Sequence, residues 1–427
     1  MIVFFILILF SGFQLFSQNV DRYVPEEVYF EDFRYVDFIS SVRFYPDDSE
    51  VDYPVLDLQG NRKLILEFDD LQADNKNYFY KIIHCDYDWK PSDNISALDY
   101  IDGYQENRFY ESTNSFNTRK DYTHYQLRLP NDDVKFKLSG NYLLKIYIND
   151  DENDLVLTRR FVVFEPMMKA VAGIRRSAVP PYSASHQEMS VRVEHAGIYL
   201  PQPATDVKIA VLQNGRWEQS VKNISPTFIQ EESILYDLQG KIMFPGYKEF
   251  RPLDIRSFRH RGPQVEVLEQ LKEGFNLFLF PDIARTYAPY LFTNDLNGKF
   301  IINSFDQPAP NERGEYGRVR FSLNASAPKD KQIYVVGGFS DFRAYPYNKM
   351  KYNTEKQIYE LDLFLKNGFY DYYYAVSDKD NQIAEISPLE GSNYETENDY
   401  LIFVYYKKYG GRYDQVVAFT RSSSTHR

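Results

Sequence analysis

The chain of 427 residues carries 49 Lys and Arg against 61 Asp and Glu, a formal net charge of −12. The excess is local: residues 18–165 hold 17 basic and 30 acidic side chains, residues 166–310 hold 16 and 15, and residues 311–427 hold 16 and 16. An acidic first third with a balanced remainder argues against nucleic acid and against adsorption to anionic lipid, and leaves a basic protein surface open as a partner.

The length predicts two to four domains. Aromatic residues make up 17%, dominated by 37 Tyr and 33 Phe, and flat rings suit pleated surfaces, so the expected class is all-β. The chain opens on an apolar run, Met1 to Phe10, with no charge before Asp21. That run is too short to span a bilayer and reads as a cleaved secretory signal over residues 1–17. An exported chain with one cysteine makes no internal disulfide, so Cys85 is expected as a small buried hydrophobe.

Short apolar runs broken by Asp-rich turns predict a β-meander from Tyr35 to Val42 and from Pro54 to Phe68. Next comes Asn77 to Trp89, NYFYKIIHCDYDW. Its alternation predicts Phe79, Ile83, Cys85, Tyr87 and Trp89 on a core face, with Tyr78, Tyr80, Ile82, His84, Asp86 and Asp88 on a wetter one. Further strands are predicted over Tyr122–Leu129, Ser139–Ile148 and Leu155–Phe164, enough for one sandwich ending at Glu165-Pro166. Beyond it, Val207–Leu212 and Arg216–Val221 flank Asn214-Gly215, the pair favoured in a type I′ hairpin. Val265–Lys272 fits either a strand or one short helix, and strands are predicted at Ile234–Asp237, Asn276–Phe280 and Lys299–Asn303. A linker from Gln307 to Gly314 introduces a third region, with strands over Arg318–Leu323, Gln332–Val336, Gln357–Phe364, Phe369–Val376, Tyr400–Tyr406 and Tyr413–Phe419 and a turn at Asn367-Gly368. The division expected is therefore 18–165, 166–310 and 311–420, with a disordered tail at 421–427.

Catalytic readings fail on spacing. Asp86-Tyr87-Asp88-Trp89 is similar to a glycosidase signature, but Lys90 stands where the acid must follow, so nothing protonates the leaving oxygen. His84 and His124 could join Asp86 or Asp88 as metal ligands, yet there is no HExxH or clustered His spacing, and structural roles are expected. Asn294 to Gly298 lacks the downstream Glu of a calcium loop and reads as a tight turn. Ile333–Phe342 and Tyr359–Val376 resemble early-set immunoglobulin-like and glycogen-binding modules, in which Tyr345 and Tyr347 would be the sugar-stacking candidates. The run Lys248 to Arg261 gathers Lys248, Arg251, Arg256, Arg259 and Arg261 as candidate contacts to a carboxylate-bearing protein.

Taken together, YKIIHCDYDW (Tyr80–Trp89), SFNTRKDYTHYQLRLPN (Ser115–Asn131), SGNYLLKIY (Ser139–Tyr147), NGRW (Asn214–Trp217), TNDLNGKFII (Thr293–Ile302) and YLIFVYYKKYGGRYDQVVAF (Tyr400–Phe419) resemble the plug family of the Bacteroidota type IX secretion system. The resemblance implies tandem β-sandwiches in a periplasmic, non-enzymatic protein without cofactor. It also implies binding to the very large outer-membrane translocon barrel and closure of its periplasmic mouth. Neither membrane insertion nor a homo-oligomer is expected. The alternative reading is a secreted glycan-binding or polysaccharide-processing accessory protein.

Overall fold

The computed structural model describes residues 28–326, 328–378 and 383–424. The expected signal segment, residues 1–17, lies outside the described residues, as do residues 425–427 of the expected tail. The architecture is all-β, with helices no longer than four residues among the described residues.

The first sandwich faces two antiparallel sheets. One is ordered Phe33–Arg34, Asp151–Phe164, Gly140–Ile148, Tyr78–Cys85, Glu106–Arg108, with Val55–Asp57 running parallel to Asp151–Phe164; the other is ordered Ile39–Pro46, Leu64–Asp70, Thr123–Leu129, Glu111–Asn114. Period-two alternation sends Leu64, Leu66 and Phe68 from one sheet, and Tyr78, Tyr80, Ile82, Tyr142, Leu144 and Ile146 from the other, into a single core.

This corrects the expected faces of the opening strand. Tyr78, Tyr80 and Ile82 fill the sandwich, while Phe79 is only half-buried, stacked on Tyr147 at 5.9 Å. The opposite face is also covered, by a second body. Cys85, Tyr87, Trp89 and Leu143 pack with Ala210, Leu212, Leu401, Phe403 and Tyr405, and Ile83 lies partly buried against them. Tyr87 and Trp89 reach this seam from a turn, not by alternation. The strand ends at Cys85, and Asp86 Oδ1 accepts the N–H groups of Asp88 and Lys90 at 2.8 and 2.9 Å. Tyr and Trp carry apolar area that either face can bury, so composition could not choose between two apolar faces.

The middle sandwich pairs one sheet, Lys169–Arg176, His186–Glu194, Ser233–Tyr236 and Phe228–Ile229, with another formed by Val207–Gln213, Asp399–Tyr406 and Gln415–Ser423. The C-terminal strands therefore do not belong to the third body. Asp399–Tyr406 is buried at all eight positions: Tyr400, Ile402, Val404 and Tyr406 enter the middle core, while Leu401, Phe403 and Tyr405 enter the seam with the first sandwich. A strand apolar on both faces requires cover on both.

The third body is inserted between these halves. Its sheets are Val265–Leu271, Gly274–Leu279, Tyr316–Asn324, Ile358–Lys366, Lys351–Asn353, and Arg251–Asp254, Gly368–Ser377, Phe300–Ile302 with Gln332–Val336. Strands on both sides of residue 310 share both sheets, so the chain does not divide there. Val265–Leu271 is a strand, hairpinned to Gly274–Leu279. At Asn367 the chain crosses from one sheet to the other without forming a hairpin, since Ile358–Lys366 pairs with Tyr316–Asn324 and Gly368–Ser377 with Gln332–Val336.

Two further expectations change. Asn214 and Gly215 have the positive φ values of a type I′ turn, 49° and 71°. No hairpin follows: Val207–Gln213 pairs along one edge with Asp399–Tyr406, and on its other edge the 3₁₀ turn Trp217–Gln219 leaves one bridge, Val211 to Val221. Arg421 to Ser423, expected as disordered tail, extend the last strand, with Arg421 Nη2 2.6 Å from Asp399 Oδ2.

Candidate partner-binding surface

The basic run divides by burial. Lys248 and Arg251 point inward: Lys248 Nζ donates to the carbonyls of Arg285 and Ala288, both at 2.6 Å. Arg251 donates to Glu390 Oε1 at 3.0 Å, Asp282 Oδ1 at 2.7 Å and the carbonyl of Ile283 at 2.7 Å. Burial, and then the neighbouring Arg285, push the Lys248 pKa down. Burial opposes ionisation of Glu390, but Arg251 and Arg285 outweigh it and hold that carboxyl below its usual range. Arg256 is consumed by Asp254 two residues away, at 2.5 and 2.8 Å. Arg259 and Arg261 alone are exposed and without an ion-pair partner among the described residues; with His260 and Phe280 they line a shallow depression. Five expected contact residues therefore reduce to two. Charge density along the sequence did not reveal that buried Glu390, in the short helix Ser387–Glu390, and half-buried Asp282, on the strand Asp282–Ile283, wait elsewhere in the chain.

The struts Lys248, Arg251 and Arg285 hold the segment that follows Asp282–Ile283. Arg285 Nε donates to Glu390 Oε2 at 2.7 Å and its Nη2 to the Glu249 carbonyl at 2.8 Å. Thr286 Oγ1 donates to the Pro388 carbonyl at 2.7 Å, and Tyr290 OH to Glu249 Oε1 at 2.6 Å. Asp295 closes the far end, accepting the N–H of Phe250 at 2.7 Å and of Asn297 at 2.9 Å. The expected tight turn at Asn294–Gly298 is thus present, tied also to Asp371, whose Oδ2 accepts from Gly298 at 3.1 Å and from Leu296. Burial, and for Asp371 also the nearby Asp295, raise these carboxyls to about 7 for Asp295 and about 8 for Asp371. Sequence reasoning missed what this segment presents: Tyr287, Leu291 and Phe292 are 97%, 77% and 51% exposed. The available signal was three large apolar residues in a Pro-containing stretch with no alternation.

The three bodies are joined by buried polar contacts. Asp69 of the first sandwich accepts from three donors: His124 Nδ1 at 2.7 Å, Tyr316 OH at 2.6 Å and Lys366 Nζ at 2.7 Å, the last two from the third body. Burial opposes its charge, but Lys366 and His124 outweigh that and hold the Asp69 carboxyl below its usual range. Beside it Glu67 accepts from Arg43 at 2.5 Å and Tyr45 at 2.8 Å, and its pKa falls to about 2 despite burial because His124 and Arg43 flank it. Burial would lower the His124 pKa, yet the two carboxylates raise it. Where all three bodies meet, Lys299 Nζ donates to the Val51 carbonyl over the Tyr53 ring, 3.4 Å from its centroid, and Tyr53 OH reaches Asp399.

Other candidate positions are structural. His84 bonds Ser92 Oγ at 2.8 Å and the Ser139 carbonyl at 3.3 Å; burial pushes its pKa down to about 4. Tyr345 is buried and Tyr347 half-buried, stacked on one another at 5.4 Å between the first and third cores, so neither offers a face to a sugar. Among the described residues no group of three or more His, Cys, Asp or Glu side chains is placed to hold a metal.

These features define a multi-sandwich protein whose three bodies are joined to one another by buried charged clusters and an apolar seam. Residues 39–165, the first sandwich, match the family described as type 9 secretion system plug protein 1st domain, so this chain carries a plug domain of the type IX secretion machinery. A crystal structure of a hypothetical protein from Parabacteroides merdae is similar at 30% identity and a TM-score of 0.88, covering 93% of this chain and 100% of that one. Among curated proteins there is no significant match.

Proposed function

We propose that this chain is exported by a cleaved signal, resides in the periplasm, binds the outer-membrane translocon barrel of type IX secretion and occludes its periplasmic opening. The observation that carries the reading, beside the family match, is the set of buried joints across all three bodies, centred on Asp69–Lys366 and on Lys299–Tyr53–Asp399. A seal over a wide pore must resist bending, because a hinge at the contact reopens a path for solutes; domains joined only by polar, hydrated surfaces would move by default. Arg259 and Arg261 are the cations of the basic run left for partner carboxylates. Affinity purification of tagged barrel from detergent extract should recover the chain, and deletion of its gene should admit a large antibiotic. Absence from the complex together with unchanged permeability refutes the reading.

A further inference from the structure

We infer that the segment Thr286–Phe292 is the apolar anchor of the docking surface, inserting Tyr287, Leu291 and Phe292 into an apolar pocket with a Lys/Arg rim on the barrel. This rests on the plug reading and adds the surface and the chemistry of its receptor.

Exposure alone would not carry it, since single apolar residues are common on surfaces. Here three lie within six residues and together expose on the order of 400 Å², at ~150–250 Å² per aromatic side chain. That is about half of one partner's share of a standard interface. The segment has no regular secondary structure, yet its backbone is fixed. Lys248 holds the Ala288 carbonyl and that of Arg285 just before the segment, Thr286 is bonded to Pro388, Tyr290 to Glu249, and Arg285 to Glu390. Gly391, at φ +74°, passes so close that a Cβ there would lie 2.7 Å from the Thr286 carbonyl oxygen. An exposed loop fixed in place has little conformational entropy left to lose on binding, which is the property of a hot spot.

Charge selects the occupant. The cations nearest the segment, Lys248, Arg251 and Arg285, are all engaged inside the fold. The Tyr290 hydroxyl lies 3.2 Å from the Glu395 carbonyl oxygen, and Glu395 and Glu397 have no ion-pair partner among the described residues. Among these both accept only from neutral donors, Glu395 from Tyr394 and Glu397 from Ser423 and Asn297. An aromatic loop flanked by carboxylates that keep their charge is repelled by anionic lipid and suits an apolar pocket with basic residues at its margin.

The test uses the full exported chain and detergent-purified barrel. The triple variant Tyr287→Ser, Leu291→Ser, Phe292→Ser should keep the wild-type Tm and bind at least about 30-fold more weakly, the scale of one lost hot spot. Glu395→Lys, a surface change outside the anchor, should weaken binding by a smaller factor that vanishes in high salt. If wild type binds and the triple variant binds within about threefold of it, the inference falls while the plug reading stands; if wild type does not bind, the plug reading falls with it. Flotation of wild type, but not the triple variant, with phosphatidylglycerol vesicles assigns the loop to a membrane and overturns the inference. Self-association that is lost in the triple variant assigns the loop to a second copy and likewise overturns it. Should the triple variant unfold, an unaltered affinity for Glu395→Lys at low salt overturns the inference.

Discussion

Replacing Lys366 by Met tests whether the first and third bodies are locked at Asp69. Both side chains of the pair are 1% exposed, with Nζ 2.7 Å from Asp69 Oδ2. Removing one partner of a buried pair leaves an uncompensated charge, a change that costs ~3–5 kcal/mol. Here the lower end applies at acidic pH, because Asp69 keeps the Tyr316 hydroxyl and the His124 ring. His124 has a folded pKa raised above its unfolded value, so its stabilisation is complete below about 6.5 and is lost as pH rises through the folded pKa. The cost of Lys366→Met should therefore be about 3 kcal/mol at pH 5.5 and larger at pH 8.5. Urea unfolding followed by native-state hydrogen exchange reads it, with protection falling first in Leu64–Asp70 and Ile358–Lys366. The cycle with Asp69→Leu should show coupling above about 1.5 kcal/mol, the double variant being less destabilised than the two single costs summed. A single-variant cost under about 1 kcal/mol, or strict additivity, refutes the lock.

Asp371→Asn keeps an acceptor for Leu296 and Gly298 and removes a group whose folded pKa is about 8. A carboxyl raised in this way stabilises below its unfolded pKa and loses that contribution as pH rises through about 8, so the variant should gain up to about 5 kcal/mol over wild type at pH 9 and little at pH 4. Burial lowers Lys299 to about 7, which gives a slope of opposite sign in both proteins, so the difference between them is the measurement. Burial, followed by the Asp86 charge, pushes the Cys85 thiol up; a disulfide reagent at pH 8 should therefore label no thiol in the native protein and one after denaturation. Gly215→Ala places a Cβ against the Tyr53 ring at φ +71° and should cost ~1–3 kcal/mol by thermal melting, with no such cost at Gly274, where the space is open and φ is not positive.

The all-β class and the positions of most strands were legible because alternation and turn chemistry are local. What was not legible is pairing. Val207–Gln213 ends in an ideal hairpin turn, yet its ladder partner is Asp399–Tyr406, far along the chain and apolar on both faces, while the return after the turn coils at Trp217–Gln219 and keeps a single bridge. For the same reason Tyr78, Tyr80 and Ile82 exchanged roles with Cys85: each face is buried, one by its own sandwich and one by a neighbour that the strand cannot announce. The candidate site failed more completely. Arg251 and Arg259 are alike in sequence, but Arg251 meets Glu390, distant in the chain, and Arg259 meets no carboxylate among the described residues. Burial separates a strut from a contact, and burial depends on long-range topology.

That topology bears on the function. The third body leaves the middle sandwich near Phe250 and returns near Thr396, so two chain crossings tether it where one linker would allow swivelling. Both crossings are pinned: Phe250 N–H is held by Asp295, and Thr396 Oγ1 donates to the Gly246 carbonyl at 3.3 Å while its own carbonyl accepts from Gln187 at 2.7 Å. The first sandwich then closes the ring, meeting the middle body through Cys85, Tyr87 and Trp89 and the third through Asp69. In a closed ring of three contacts, opening any hinge requires breaking a second interface as well. The stretch Asn77–Trp89 contributes to function in that way: with no chemistry of its own, it supplies one side of the seam that denies the plug a hinge.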